Sequence, residues 1–523
     1  MIQVGASSLE QAGHVLHHLL GLLLNGRAYH LAALRIERDL TRREQHAIYH
    51  DTLRIRTDRS GRIVSANYLH VQLSHSYQVM SFNCDLLNYN RYSNRNGFHY
   101  STKTTSWHEK CHTRVKDPGS MLTLDTFEDA SKRVKEVTQE TKLVYSPYFS
   151  KETGNEVYLK PENMQRTGAY KVRGAYYKIS QLSDEERKRG LITASAGNHA
   201  QGVAYAAKKF GVPATIVMPT TTPYIKVERT KEHGANVVLA GEVYDEAYEH
   251  ALKLAEEQGL TFIHPFNDLE VAAGQGSIAM EIVQELPLVD AILVPIGGGG
   301  LASGVSTLAK MLNPRIKVIG VEPAGAASMK ASLEAGHVVK LPSVSTIADG
   351  TAVLEPGDKV FPYIQKNVDE IITIDDDELI VAFLDMVENH KMVVENSGLL
   401  TVAALRHLDM LDKKVVPILS GGNMDVITMS TVVQHGLIQR DRIFTISILL
   451  PDRPGELVNV AQIIAEHNGN VIRLDHNQFV TANRNAAVEL RVTIEAFGTD
   501  HKGRIVHALQ EAGYSPHLIQ AAL

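Results

Sequence analysis

Between about residue 121 and residue 430, short apolar runs alternate with amphipathic segments, and few architectures accept that order. Residues 190–194 form one such run, followed by a Ser-Ala-Gly-Asn turn and a helix expected over 200–210. A strand over 213–218, a helix over 224–233, a strand over 235–239 and a helix over Tyr244–Gln258 come next. Ala291–Pro295, 317–321 and 415–419 read as three more strands. Strands without polar alternation bury both faces, which is the pattern of parallel sheets covered by helices. The class is therefore α/β, and functional loops should gather at the carboxyl ends of the strands.

The chain has 523 residues, too many for one ordinary hydrophobic core. Residues 1–120 differ from the rest: they hold both cysteines, Cys84 and Cys111, and the single tryptophan, Trp107. A helix or two is expected over 16–40, a strand pair inside 63–79, and a polar stretch without regular structure over 88–107. Met121 opens a segment that reads as a fresh start, so residues 1–120 are an extension of unassigned role. After the α/β region, residues 431–440 read as a polar linker. Residues 441–523 then follow the order β-α-β-β-α-β, a ferredoxin-like split unit.

A net charge of −6 gives no pull toward nucleic acid or an anionic membrane. Two cysteines argue against a disulfide framework and leave the region after residue 121 without thiolate chemistry. The amino terminus lacks the charged opening of a secretory signal, and 19–24 is too short an apolar run to cross a bilayer. A cytoplasmic location, no membrane partner and no nucleic-acid partner are the expectations.

Three glycine-rich turns fall at strand-to-helix junctions. Ser195-Ala196-Gly197-Asn198-His199-Ala200-Gln201-Gly202 is the first. Gly297-Gly298-Gly299-Gly300-Leu301 is the second, and Ser420-Gly421-Gly422-Asn423 the third. Four consecutive glycines are entropically costly. A tight turn needs one or two, so four suggest backbone N–H groups wrapped around phosphate oxygens. No Gly-Lys-Ser/Thr follows, and the spacing is wrong for a dinucleotide fingerprint. Lys171 lies in Gly168-Ala169-Tyr170-Lys171-Val172-Arg173-Gly174-Ala175, near an expected helix start. Taken alone it is an ordinary surface lysine. A helix dipole disfavours charge there, which favours a neutral, nucleophilic amine. A phosphate cradle and a candidate amine together are what an aldehyde cofactor with a phosphate tail requires.

Taken in order, these four motifs resemble the threonine/serine dehydratase family of pyridoxal-phosphate enzymes over roughly 121–430. The resemblance implies fold type II (tryptophan synthase β-like), with two open parallel-sheet domains, the smaller one at about 162–262 inserted in the larger. The stretch after 441 resembles an ACT domain, with Pro451-Asp452-Arg453-Pro454-Gly455-Glu456-Leu457 as its turn. The combination is similar to the medium-length threonine ammonia-lyases, which begin near the position of Met121.

The resemblance implies pyridoxal 5'-phosphate bound through Lys171. Gly297, Gly298, Gly299, Gly300 and Leu301 would hold the phosphate, Asn198 the ring 3'-oxygen, and Ser420 the pyridine nitrogen. Ser195, Asn198 and His199 would frame the substrate carboxylate. The implied reaction is α,β-elimination from L-threonine to 2-oxobutanoate and ammonia, extending to L-serine. Ala196 stands where racemases carry a proton-donating serine, which favours elimination. A monovalent cation near Glu322 and Ala326 is also expected, since Ser328 replaces the carboxylate of Mg²⁺-binding relatives. Further expectations are a homodimer or homotetramer, an amino-acid or nucleotide effector at the ACT-like domain, and a role in threonine catabolism or isoleucine biosynthesis. Two alternatives stay open: an L-serine ammonia-lyase or hydroxyaspartate dehydratase of the same family, and an inactive metabolite-binding regulator.

Overall fold

The computed structural model describes residues 122–478 and 488–520 in full and, before residue 122, the backbone of five strands. The chain divides into two compact units, Met1–Val115 and Lys116–Leu523. In the first, β1 (Ile2–Gly5), β2 (Ala33–Glu37), β3 (Ile48–Thr57), β4 (Ile63–Leu73) and β5 (Val79–Asp85) form one sheet in sequence order. The helix read over 16–40 is not found where the chain is described, because Ala33–Glu37 is a strand. Its Ala-Leu-Arg-Ile-Glu sequence has the two-residue alternation of a strand, which the longer apolar run obscured. The pair read inside 63–79 is one long strand whose antiparallel partner begins only at Val79. The stretch 88–107 lies outside the described residues.

The second unit contains three sheets. β6 (Val144–Tyr145) and β7 (Glu156–Leu159) open it at the edge of a six-stranded sheet. β8 (Leu191–Ala194), β9 (Ala214–Met218), β10 (Asn236–Leu239) and β11 (Thr261–Phe262) form a parallel sheet of order β10-β9-β8-β11. β12 (Ala291–Pro295), β13 (Lys317–Pro323), β14 (Glu370–Ile374) and β15 (Lys414–Pro417) complete the larger sheet, of order β14-β13-β12-β15-β7-β6. Within it only the β6–β7 edge pair is antiparallel.

The unbroken apolar strands are explained by two-sided burial. Ile292 and Val294 of β12 point into one core with Ile278 and Val305, while Ala291 and Leu293 point into another with Leu400 and Phe383. The small sheet repeats the arrangement: Ile216 and Met218 face Ala200 and Val203, and Val217 faces Ala247 and Ala251. Each fully buried aliphatic side chain contributes roughly 1.5–3 kcal/mol. Caps set several helix starts. Asp268 accepts from the N–H groups of Glu270 and Val271 at the head of helix Leu269–Glu285, and Asp425 does the same for Ile427 and Thr428.

Residues 431–440 are not a polar connection. Most of them belong to helix Val426–Gln439, whose Val432 is buried in the core of the large sheet. Just beyond it, Arg440 reaches back to Asp385 at 2.5 Å and Glu388 at 2.9 Å. Asp385 is buried and also receives Arg406 at 2.7 Å. The last region holds β16 (Ile443–Leu450), β17 (Asn470–Asn477), β18 (Val488–Glu495) and β19 (His517–Ile519), in the antiparallel order β17-β18-β16-β19. Helices Glu456–Glu466 and Thr499–Glu511 cover the face carrying Phe444, Ile446, Val492 and Ile494. That is the ferredoxin-like order the sequence suggested.

Candidate active site

Lys171 is the first residue of helix Lys171–Gln181, at the wall of a cavity that the tetraglycine loop also lines. The helix is held in place by a buried ionic network. The Arg173 guanidinium meets Glu162 at 2.7 Å and Glu281 at 2.6 Å, and Lys160 meets Glu281 at 2.6 Å. Arg173, Lys160 and Glu162 are wholly inaccessible to solvent. Close packing adds to this hold: a Cβ on Gly174 would stand 2.7 Å from the Val271 carbonyl oxygen of helix Leu269–Glu285.

At the other end of this anchor, the Lys171 Nζ donates to the Pro265 carbonyl oxygen at 2.8 Å. Burial lowers its pKa to about 8, with the Glu395 carboxylate pulling the other way. A substantial neutral fraction near pH 7–8 follows.

The tetraglycine run leaves β12 and bends into helix Gly300–Leu312. Gly299 has φ +99°, a conformation that disfavours any side chain. A Cβ on Gly298 would stand 2.3 Å from the Phe266 ring. The loop is thus bare backbone at a helix amino terminus, which suits an anion. These features fit the phosphate of a pyridoxal cofactor.

The third turn is zipped to the lysine segment. The Tyr170 N–H donates to the Ser420 carbonyl, and the Gly422 N–H to the Gly168 carbonyl. Ser420 lines the cavity. Asn423 Nδ2 donates to Thr167 O at 2.7 Å and to Asn198 Oδ1 at 2.8 Å. Asn198 in turn donates from Nδ2 to Glu395 Oε1 at 2.6 Å. Both ends of the Asn198 amide are therefore assigned by neighbours.

The cavity wall brings together Lys171, Asn198, Gly297, Gly298, Gly299, Gly300, Leu301 and Ser420. Ser195 and His199 are not among its lining residues. The Ser195 hydroxyl accepts from the Gly197 N–H at 3.3 Å within its own turn. The His199 imidazole is buried and donates from Nε2 to the Ile263 carbonyl at 3.0 Å, and burial drops its pKa to about 3. Glu322 lies elsewhere: its two oxygens accept from the Met329 and Lys330 N–H groups at 2.8 Å each, at the head of helix Ser328–Ala335. Burial raises its pKa to about 7. The Ser328 hydroxyl beside it is buried with no hydrogen-bond partner among the described residues. Those residues contain no group of three or more His, Cys, Asp or Glu suited to a metal.

Three comparisons bear on this geometry. A family model described as pyridoxal-phosphate dependent enzyme matches residues 134–421. An L-threonine ammonia-lyase of Thermotoga maritima is 44% identical over 400 residues, 76% of this chain and all of that protein. The chain belongs to the pyridoxal-phosphate-dependent enzymes, in the threonine ammonia-lyase family. A biosynthetic L-threonine dehydratase of Pasteurella multocida is 39% identical, over 73% of this chain and 74% of its own length. Among solved structures, the processed threonine deaminase isoform 2 of Solanum lycopersicum has a TM-score of 0.58 at 41% identity, covering 61% of this chain and 94% of its own. Maize serine racemase has a TM-score of 0.57 at 34% identity, covering 62% of this chain and all of its own. The fold type II architecture and the pyridoxal-phosphate cofactor expected from the motifs are thereby established for this family member.

Several residues of the ammonia-lyase site escaped the sequence reading. Glu395, capping helix Asn396–Ala403, and Ser397, in its first turn, line the cavity, as do Gly350 and Thr351 from the turn at 349–351. Glu395 is nearly inaccessible, and burial raises its pKa to about 7. The run Glu395-Asn396-Ser397-Gly398 between apolar neighbours was the available signal, since a carboxylate there must be buried with partners or serve a ligand. Phe266 and Tyr170 also line the cavity, and an isolated aromatic carries no such signal.

Proposed function

We propose that this chain catalyses α,β-elimination from L-threonine, giving 2-oxobutanoate and ammonia, and acts on L-serine as a poorer substrate. The observation that carries the reading is a buried lysine of lowered pKa sharing one cavity with a tetraglycine helix start. In that cavity the cofactor supplies an aldehyde for the substrate amine and a conjugated ring that accepts electrons as the Cα–H bond breaks.

The residues divide the remaining work. Lys171 anchors the cofactor and, once displaced, is the base for the α-proton, its neutral form favoured by burial. The N–H groups of Gly297 to Leu301 hold the phosphate. Ser420 meets the pyridine nitrogen with a hydroxyl, which cannot keep a full proton on the ring as a carboxylate would. Asn198 would hold the 3'-oxygen, its amide oriented by the Nδ2 contact to Glu395. Backbone N–H groups of the 195–199 turn receive the substrate carboxylate, with the His199 ring acting as a buttress through Ile263. Ala196 offers no proton to the opposite face, which disfavours racemisation. A monovalent cation at Glu322 and Ala326 would serve as a structural ion.

In domain terms, 121–430 is the catalytic region, with its small subdomain at about 162–262, and 441–523 is an ACT-like effector module. The module pairs with a second copy, giving a cytoplasmic homodimer or homotetramer regulated by an amino acid or nucleotide. Residues 1–120 carry no assigned role.

The test is purified full-length protein assayed with L-threonine, L-serine and threo-3-hydroxyaspartate. Expected are a Schiff-base absorption band abolished by Lys171→Ala, and the highest kcat/KM for threonine. A clear preference for serine would replace the substrate, and undiminished turnover in Lys171→Ala would end the assignment.

A further inference from the structure

A short turn, residues 264–267, joins β11 to helix Leu269–Glu285 and touches both halves of the cofactor site. Its Pro265 carbonyl receives the Lys171 amine at 2.8 Å. Its Phe266 lies against the tetraglycine loop: an added Cβ on Gly298 would meet the ring at 2.3 Å, and one on Gly300 the Phe266 carbonyl oxygen at 2.8 Å. Its Asn267 donates to Asp358 Oδ1 at 2.7 Å and accepts from the Lys359 N–H at 2.9 Å. The neighbouring Gly357 N–H donates to the Gly298 carbonyl at 3.0 Å. The turn therefore sets the spacing between the amine and the loop.

One side chain organises it. His264 Nδ1 accepts from the Phe266 N–H at 3.2 Å and from the Asn267 N–H at 2.9 Å. Accepting at Nδ1 requires a lone pair there, so the ring must be neutral with its proton on Nε2. The ring is wedged among aromatics: Phe266 at 4.8 Å and 87°, Tyr248 at 5.9 Å and 71°, Phe262 at 6.2 Å and 62°. We propose that His264 is a positioning residue for the cofactor, whose neutral imidazole fixes the 264–267 turn and thereby the distance between the Lys171 amine and the tetraglycine loop. This rests on the reading that those two elements hold pyridoxal phosphate.

The charged environment supports an acid-sensitive role. Burial, with Lys171 and Lys359, lowers the His264 pKa to about 4, against the opposing pull of Asp268 and Asp358. His199, on the neighbouring helix Asn198–Phe210, also senses its charge, and the Tyr248 phenol faces it from helix Tyr244–Gln258. The neutral ring prevails above that pH. As pH falls toward 4, Nδ1 gains a proton, changes from acceptor to donor, and opposes two backbone N–H groups.

The experiment compares full-length wild type, His264→Asn and His264→Leu. Asparagine offers an uncharged acceptor oxygen at similar reach and does not titrate in this range. Leucine offers none and leaves two N–H groups unpaired. The first measurement is the Kd of pyridoxal phosphate from titration of apoprotein. The second is cofactor release from holoprotein as pH is lowered. His264→Leu should weaken the Kd about tenfold or more, and His264→Asn should stay within about threefold. His264→Asn should also hold its cofactor to lower pH than wild type. A wild-type Kd in folded His264→Leu, or superimposable acid-release curves for wild type and His264→Asn, would overturn the proposal. The second comparison stands even where the leucine variant does not fold. Lys171→Ala serves as control: if it keeps the Schiff-base band, the underlying reading fails, whereas its loss alongside indifferent His264 variants rejects the present inference alone.

Discussion

Glu395 Oε1 accepts a hydrogen bond from Asn198 Nδ2 at 2.6 Å, inside the wall of the cofactor cavity. Above its pKa of about 7 the carboxylate only accepts, and there this contact dictates which end of the Asn198 amide is nitrogen. Asn423 secures the other end. Glu395→Ala should free the amide to turn and lower kcat about tenfold, at the scale of one buried charge-assisted hydrogen bond. Steady-state kinetics at saturating cofactor checks this, and an unchanged kcat would show that Asn198 is oriented without Glu395.

The same carboxyl has a raised pKa, about 7, against an ordinary value of about 4.3. Between those values the folded chain binds a proton that the unfolded chain has released. The stabilisation is full below about pH 4.3 and is lost as pH rises through about 7, by at most about 4 kcal/mol in total. Glu395→Gln should make that decline shallower, with Glu322 supplying a remaining part. Urea unfolding of apoprotein at pH 5 and pH 8 measures it.

Gly298→Ala places a methyl group against the Phe266 ring, at a spacing real Cβ atoms do not reach. Overpacking of that kind costs about 1–3 kcal/mol. It should appear as a pyridoxal-phosphate Kd raised roughly 5- to 150-fold in apoprotein titration, with far-UV circular dichroism unchanged.

Arg173→Met removes one of two cations from a largely buried cluster and takes from Glu162 its 2.7 Å partner, while Lys160 still meets Glu281. The expected cost is about 3–5 kcal/mol, because Glu162 is left inaccessible to solvent without its closest cation. Denaturant midpoints for wild type and variant measure it, and a double variant Arg173→Met/Glu162→Gln should recover part of the loss.

A chain ending after Arg442 should keep turnover and lose every response to isoleucine, valine or AMP. The cut falls there because helix Val426–Gln439 packs on the catalytic core and Arg440 pairs with Asp385. A cut inside that helix would expose Val432. Intact effector responses in the shortened chain would rule out a sensing role for the ferredoxin-like region.

Much of the fold was legible because burial on two faces writes itself as unbroken apolar strands: Ala291–Pro295 and Tyr244–Gln258 match their expected limits. Lys171 and the glycine loop stood out through a lone amine and bare backbone, Asn198 and Ser420 through the family resemblance, and all of them line one cavity. Ala33–Glu37 was misread because five alternating residues inside a leucine-rich stretch are too few to set a period. The helix at 426–439 was missed at its end because its face toward the core is small, with only Val432 and Gly436 buried. Glu395 left only the mark of a carboxylate among apolar neighbours, because its partner Asn198 lies in a distant segment, and His264 was missed because a histidine bonded to its own turn leaves no periodic pattern.

The helix that begins at Lys171 has Val172 and Ile179 in the core of the small sheet, Tyr177 in a core of the large one, and Arg173 tied to Glu162 and Glu281. Neither layer closes without it. The lowered pKa of the Lys171 amine is therefore a property of both layers together, since burial between them is what depresses it.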